Sequence, residues 1–320
     1  MSRKKSLIIT VLLLAVRAEL IAQTQPQRFE YSEVAMGVRA RIVLYASDEA
    51  TAQQAARAAY DRIAALEDIM SDYRPTSELS RLSAKAGGPA VKVSPELLFI
   101  LTKSQEFARR SDGAFDVTVG PVVKLWRKAR KSGVMPPKEE LAAALRLVGW
   151  RKLHIGPLPN PPRSGEGVKL DTPGMQLDLG GIAKGYACDE AIRVLKHRGI
   201  ASALVEMGGD IVVSNAPPDK EGWQIEIANA TERQAILSNA AVSSSGDTEQ
   251  YVEIGGKRYS HIADPRTGLG LTDRIAVTVI APNGVTSDGL STAISVLGDK
   301  RGRTLAHTYP GVNAYIRRGK

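Results

Sequence analysis

The sequence predicts an α+β fold. Two extended segments, 29–35 and 39–46, surround Met36-Gly37-Val38 before any helical period appears. The later part is rich in strands, at 175–179, 203–206, 223–228, 251–254 and 274–280. Helices and strands therefore do not alternate one for one, which argues against a doubly wound parallel sheet.

The helical segments announce themselves by their starts and their period. Ser47-Asp48-Glu49 reads as a helix N-terminus, with a capping hydroxyl on Ser47 followed by acids near the positive end of the dipole. Ala52, Ala55, Ala56, Ala59, Ile63, Leu66 and Met70 follow at helical spacing and define one buried face. Ser94-Pro95-Glu96 starts a second helix with Pro at its first position, and Pro137-Lys138-Glu139 starts a third. The segment 156–174 carries Pro157, Pro159, Pro161 and Pro162; it reads as a mobile loop, or as a hairpin tip around 168–170.

Length and composition bound the rest. At 320 residues the chain makes one large domain or two small ones, and 43% hydrophobic content excludes global disorder. Cys188 is the single cysteine, so no intrachain disulfide framework exists. Arg3, Lys4 and Lys5 precede the apolar run 7–16, and the small residues Ala18 and Ala22 follow. Residues 1–22 read as a signal peptide, with an uncleaved anchor as the alternative, and residues 23–320 as the working domain. The expected location is exported: the periplasm or the outer face of the inner membrane, with peripheral membrane association compatible. Removing residues 1–22 lowers the formal charge from +9 to +6. No nucleic-acid module accompanies that charge, so no nucleic-acid partner is expected.

Four groups of residues could carry chemistry. Asp178-Leu-Gly-Gly-Ile-Ala-Lys-Gly185 follows a strand and opens a helix running through Ala187, Ala191, Ile192 and Leu195. Its glycines, the helix N-terminus and Lys184 suit a phosphate or diphosphate; a plain strand-to-helix turn is the alternative. Asp288-Gly-Leu-Ser-Thr292 puts a carboxylate and a hydroxyl on one helix face at i and i+4. Those are hard oxygen donors suited to Mg²⁺, against the plainer reading of Asp288 as a helix N-cap. His261 precedes the turn Asp264-Pro-Arg-Thr-Gly268, where it could act as a general base or be structural.

The last group is aromatic. Tyr73, in Ser71-Asp-Tyr-Arg-Pro, and Phe115, in Gly113-Ala-Phe-Asp116, sit in loop-like contexts of a chain with 5% aromatic residues. They are ring-stacking platforms or rings that anchor their loops. The basic run Lys124, Arg127, Lys128, Arg130 and Lys131 reads as a solvated helix face, and Glu206-Met-Gly-Gly-Asp210 as a tight turn.

In this order, the segments resemble the ApbE family, the FAD:protein FMN transferases. The resemblance covers roughly residues 29–316 and also includes Ser245-Gly-Asp247. It implies antiparallel or mixed sheets flanked by helices. It also implies Mg²⁺-dependent movement of FMN from FAD onto a Thr hydroxyl of an acceptor protein, with release of AMP. Acceptors of that family are redox subunits of membrane electron-transfer complexes. By the same resemblance Asp288, Ser291, Thr292 and a backbone oxygen of Gly181 would hold Mg²⁺. Met36, Tyr73, Ala114, Phe115, Asp116, Asp178, Lys184 and Ile262 would line the FAD site, and His261 would be the base. Val38, Val117, Thr248 and Gly289 depart from common family residues. FAD hydrolysis to FMN and AMP, and a non-catalytic exported FAD carrier, are the competing functions.

Overall fold

A computed structural model describes residues 25–157, 166–227, 234–246 and 251–318. The expectations on residues 1–22 and on Asp247 and Thr248 lie outside the described residues.

The chain begins with a hairpin, β1 (Gln27–Ala35) and β2 (Val38–Ala46), turned at Met36 and Gly37, both with positive φ. Helix α1 (Glu49–Met70) follows where expected, but its cap is Asp48, whose side chain accepts from Thr51 N at 2.9 Å, and not the Ser47 hydroxyl, which donates to Asp48 Oδ2 at 2.7 Å. Next come α2 (Glu78–Ser83), the short β3 (Val91–Lys92) and α3 (Pro95–Arg110), which is capped by Ser94. Helices α4 (Gly120–Ser132) and α5 (Lys138–Leu147) precede β4 (Leu153–Pro157) and β5 (Glu166–Leu170). Helix α6 (Ala183–His197) then leads to the hairpin β6 (Ala203–Met207) and β7 (Asp210–Val213), turned on the positive φ of Gly208 and Gly209. The rest is β8 (Trp223–Glu226), β9 (Gln234–Leu237), β10 (Ala240–Gly246), β11 (Tyr251–Ile254), β12 (Lys257–Ser260), β13 (Ile275–Ala281), α7 (Gly284–His307) and β14 (Asn313–Arg318).

The main sheet has seven strands in the order β1-β2-β6-β7-β10-β13-β14, every neighbour antiparallel. Strand alternation decides what each face covers. Ala40, Ile42 and Leu44 of β2, with Val277 and Val279 of β13, join the large core beneath α1, α6 and α7. Val43 and Ile280 point the other way, onto Trp223 and Ile225 of the β8–β9 hairpin. A third cluster joins α4 and α5 to β11 and β12 through Val122, Trp126, Ala144 and Val252.

Two segments differ from the sequence reading. Residues 175–179 are extended but not a strand: apart from one parallel bridge, Val119 to Gln176, they lack a partner strand. Met175, Leu177 and Leu179 are buried, so the alternation reported one covered face and not a hydrogen-bonded ladder. Residues 168–170 are not a hairpin tip or mobile loop either; they lie inside β5, the central strand of the β3-β5-β4 sheet. Val168 and Leu170 fill the core there, which the surrounding prolines and glycines obscured.

Helices α6 and α7 cross at glycine. A methyl on Gly185 would lie 2.1 Å from Gly284 O, so only hydrogen fits. Asp189 of α6 accepts from Gly284 N at 2.7 Å and Val285 N at 2.9 Å, capping the start of α7 beside its own cap Asn283. Burial pushes the Asp189 carboxyl up to about 6, against the pull of those two N–H groups and with the added push of Glu190. A raised acid holds its proton longer when folded. Its contribution to stability is therefore present at low pH and lost as pH rises through about 6. Relative to Asp189→Asn, the wild-type protein is expected to lose roughly 1–3 kcal/mol between about pH 4 and pH 7. Denaturant melts of both proteins across that range measure it, and a pH-independent gap would refute it.

Candidate active site

The site is assembled from the N-terminal ends of α6 and α7. Asp288 stands in the second turn of α7 and is buried; Asn283, not Asp288, is the N-cap, since its side chain accepts from Thr286 N. Asp288 Oδ2 accepts from Gly185 N at 3.0 Å and lies 3.9 Å from Lys184 Nζ. Thr292, one turn on, packs against Gly181, where a methyl would come within 2.8 Å of its Oγ1. The glycine is thus required by close approach of Thr292. Asp288, Thr292 and Gly181 converge at the start of α6, which no side chain of its own caps.

Ser291 is placed differently from its neighbours. Its Oγ donates to Asp288 O at 2.9 Å and meets Ser245 Oγ at 2.7 Å. It belongs to a hydroxyl row between α7 and β10, continued by Ser243 and Ser287 at 2.7 Å. Its position is occupied by these bonds, so its visible work is to fix α7 on β10.

Lys184 does not stand alone opposite a ligand. Its Nζ lies 2.9 Å from Asp210 Oδ2, with Asp288 behind it. Burial opposes its charge, but Asp210 and Asp288 outweigh burial and keep the ammonium protonated. Burial also pushes the Asp288 carboxyl up, to about 7; Asp210 adds to that, while Lys184 and Gly185 N oppose it. Asp210 is the residue that motif reading passed over as part of a turn. Strand period held a signal: Asp210 shares its face of β7 with Val212, a core residue on the side of α6.

The second half of the site lies around Asp178. Its backbone N donates to Val117 O at 2.8 Å, and its Oδ1 accepts from Gly180 N at 2.7 Å. Arg127 of α4 donates to Asp178 Oδ2 at 2.8 Å and also to Asp72. Arg127 is therefore no part of a solvated face, in contrast to exposed Lys124 and Lys128. Its guanidinium covers the Tyr73 ring at 4.0 Å from the centroid, and Tyr73 itself is 72% exposed.

The two aromatic platforms separate. Tyr73 is presented to solvent, whereas Phe115 is buried edge-on against Phe107. Ala114 is buried as well. Asp116 is spent inside the protein: it accepts from Thr118 N, Thr118 Oγ1 and Trp150 N at 2.7–2.8 Å. Burial raises its carboxyl, against those hydrogen bonds. The Phe107 ring also accounts for Gly289, since a methyl there would lie 2.7 Å from it. Val38 likewise fills the space beside Gly208, where a methyl would meet it at 3.0 Å.

Met36 N donates to Glu67 Oε2 at 3.2 Å, and Arg74 pairs with Glu67 Oε1 at 3.0 Å, so Met36 and the Tyr73 loop share the end of α1. His261 follows β12 on a bend. Ile262, buried behind it, donates its N to Ser260 Oγ at 3.1 Å, and Leu271 N donates to Ile262 O. Trp126 ties this segment to α4 through Gly268 O at 2.8 Å and the Tyr259 ring.

Among the described residues no group of three or more His, Cys, Asp or Glu side chains gathers as a metal cage. A cation here would rest on one carboxylate, a hydroxyl and a carbonyl. Such hard oxygen donors fit Mg²⁺, which keeps much of its shell for water or phosphate.

The model of the ApbE family matches residues 36–316. The chain is 35% identical over 248 residues to the FAD:protein FMN transferase of Vibrio cholerae, covering 75% of this chain and 72% of that one. It is 33% identical over 305 residues to the FAD:protein FMN transferase of Treponema pallidum, covering 89% and 83%. Among solved structures, the apo flavinyl transferase ApbE of Pseudomonas stutzeri superposes with a TM-score of 0.79 at 29% identity, covering 92% of this chain and 96% of that one. The antiparallel sheets with flanking helices, the order of the motifs and these matches agree, and the chain belongs to the ApbE family.

Proposed function

We propose that this protein is an FAD:protein FMN transferase: it moves FMN from FAD onto a Thr hydroxyl of an acceptor protein and releases AMP. The observation that carries this reading is the convergence of buried Asp288 with half-buried Thr292 and Gly181, set against the start of α6 and the Lys184–Asp210 pair. Such a site suits the diphosphate of a dinucleotide.

In the reaction the acceptor oxygen bonds to the phosphorus on the FMN side, and the bond from that phosphorus to the AMP oxygen breaks. His261 takes the hydroxyl proton as the oxygen attacks. Asp288, Thr292 and the Gly181 carbonyl would hold Mg²⁺, which supplies charge neutralisation on the diphosphate oxygens when bound. Lys184 keeps a fixed positive charge beside Asp288, and Asp210 holds it there. Ser291 orients the Asp288 turn through its bond to Asp288 O. Tyr73 offers a ring to the flat part of FAD, and Asp178, Met36 and Ile262 would line the same site. Ala114, Phe115 and Asp116, all buried, would support the site from within the protein.

The basic and apolar pattern of residues 1–22 supports action outside the cytoplasm, on acceptors at the membrane surface. Among the described residues no helix is long and apolar enough to cross a membrane. The test is to incubate purified protein with FAD, Mg²⁺ and candidate exported acceptor proteins, then measure mass. A gain of one FMN on Thr, with stoichiometric AMP, is expected. AMP released at the same rate without an acceptor, and no adduct, would mark a hydrolase and sink the transferase reading.

A further inference from the structure

We propose that Arg127 is a positioning residue of the flavin site, fixing Tyr73 as a stacking face and locking it to Asp178. This rests on the reading of Tyr73 and Asp178 as FAD contacts. Tyr73 sits in a loop braced through its backbone and through Arg74: Tyr73 N and Arg74 N donate to Ser71 Oγ, each at 3.2 Å, and Arg74 pairs with Glu67 at 3.0 Å. A ring that is 72% exposed on such a loop has no packing of its own to set its plane. Arg127 supplies that plane. Its guanidinium lies over one face at 4.0 Å and leaves the opposite face to solvent. The guanidinium cannot drift, because Asp72 and Asp178 hold its two ends and its side chain is 19% exposed.

The same contact reaches Asp178. Burial pushes that carboxyl up and Asp72 adds to it, while Arg127 opposes both. One arginine thus joins the aromatic face, the acid of the Asp178–Gly185 segment and the loop acid Asp72.

A neighbouring group marks the cluster as incomplete. Arg130, one turn further along α4, has Nη1 buried without an acceptor. Its surroundings include Tyr73, Arg127 and Asp178. A buried guanidinium donor left over beside an exposed ring is relieved by a ligand that brings an acceptor atom and a flat surface together. A flavin nucleotide does both.

Arginine is required by shape, because only a planar fork can bridge two carboxylates and lie on a ring at once. Arg127→Lys keeps the charge and loses the plane. FAD binding should be measured by flavin fluorescence for wild type, Arg127→Lys, Tyr73→Leu and the double variant, with thermal melts and turnover at saturating FAD. Arg127→Lys is expected to weaken FAD binding about tenfold while saturated turnover stays within about twofold. In the Tyr73→Leu background the same change should cost less than about twofold, since the ring it positions is gone. FAD binding by Arg127→Lys within twofold of wild type overturns the proposal, as does an equal loss in both backgrounds with a lowered melting temperature, the mark of a purely structural residue. A wild-type protein that binds no FAD would instead overturn the flavin reading itself, and the proposal with it.

Discussion

Replacing Asp288 by Ala is expected to lower FMN transfer about a thousandfold or more. Asp288 is the sole carboxylate of the proposed Mg²⁺ set, and its Oδ2 already faces the Gly185 N–H and the Lys184 ammonium. A cation that offsets charge on a diphosphate is worth several kcal/mol in the transition state, and each 1.4 kcal/mol or so is tenfold in rate. Removing the carboxylate also leaves Gly185 N without its partner in a buried place, so some stability is lost with it. Asp288→Asn separates the two effects, because its amide oxygen still accepts from Gly185 N while the negative charge is gone. Wild-type protein should melt at higher temperature as Mg²⁺ is added, and neither variant should respond. Transfer within tenfold of wild type in Asp288→Asn, or an undiminished Mg²⁺ response, would remove Asp288 from the metal set.

The parts of the fold that local chemistry determines were legible in the sequence. Ser94 caps its helix as read, the first helix starts at the Ser47-Asp48-Glu49 signal although Asp48 and not Ser47 caps it, and the positive φ of Gly208 and Gly209 makes the turn between β6 and β7. The i and i+4 spacing of Asp288 and Thr292 was legible for the same reason, since helical period fixes a face without reference to the rest of the chain. What failed was local pattern standing in for a distant partner. Residues 175–179 alternate because one side is buried, and no run of residues can report that a second strand is missing. The roles of Arg127 and Asp210 were hidden likewise. Arg127 finds Asp72 and Asp178 more than fifty positions away in each direction. Lys184 looked like a free cation until β7 brought Asp210 under it. Charge read along a chain overstates what is available to a ligand, because ion pairs are made by the fold.

Replacing His261 by Ala is expected to lower transfer by about 10²- to 10⁴-fold, the usual worth of a positioned general base. The acceptor hydroxyl is a weak nucleophile at neutral pH, so losing its proton late leaves the attacking oxygen poorly charged. The backbone around His261 is rigidly presented. Ser260 Oγ takes the Ile262 N–H, Leu271 bonds both Ser260 and Ile262, and the Tyr259 ring packs on Trp126 at 5.1 Å. A thermal melt of the Ala variant reads any structural cost of the change, and its FAD binding should change little. The loss should therefore fall on turnover and not on FAD affinity, which isolates chemistry from binding. Added imidazole restoring part of the rate would place the missing proton acceptor at this position. Unchanged turnover in the variant would move the base to another group. The same variant also separates transfer from hydrolysis. Water and a Thr hydroxyl both need a proton removed as they attack, but only the acceptor protein can exclude water from the phosphorus it approaches. If His261 serves a bound acceptor, its removal depresses adduct formation more than any residual release of AMP from FAD alone, and that ratio is read from one reaction mixture.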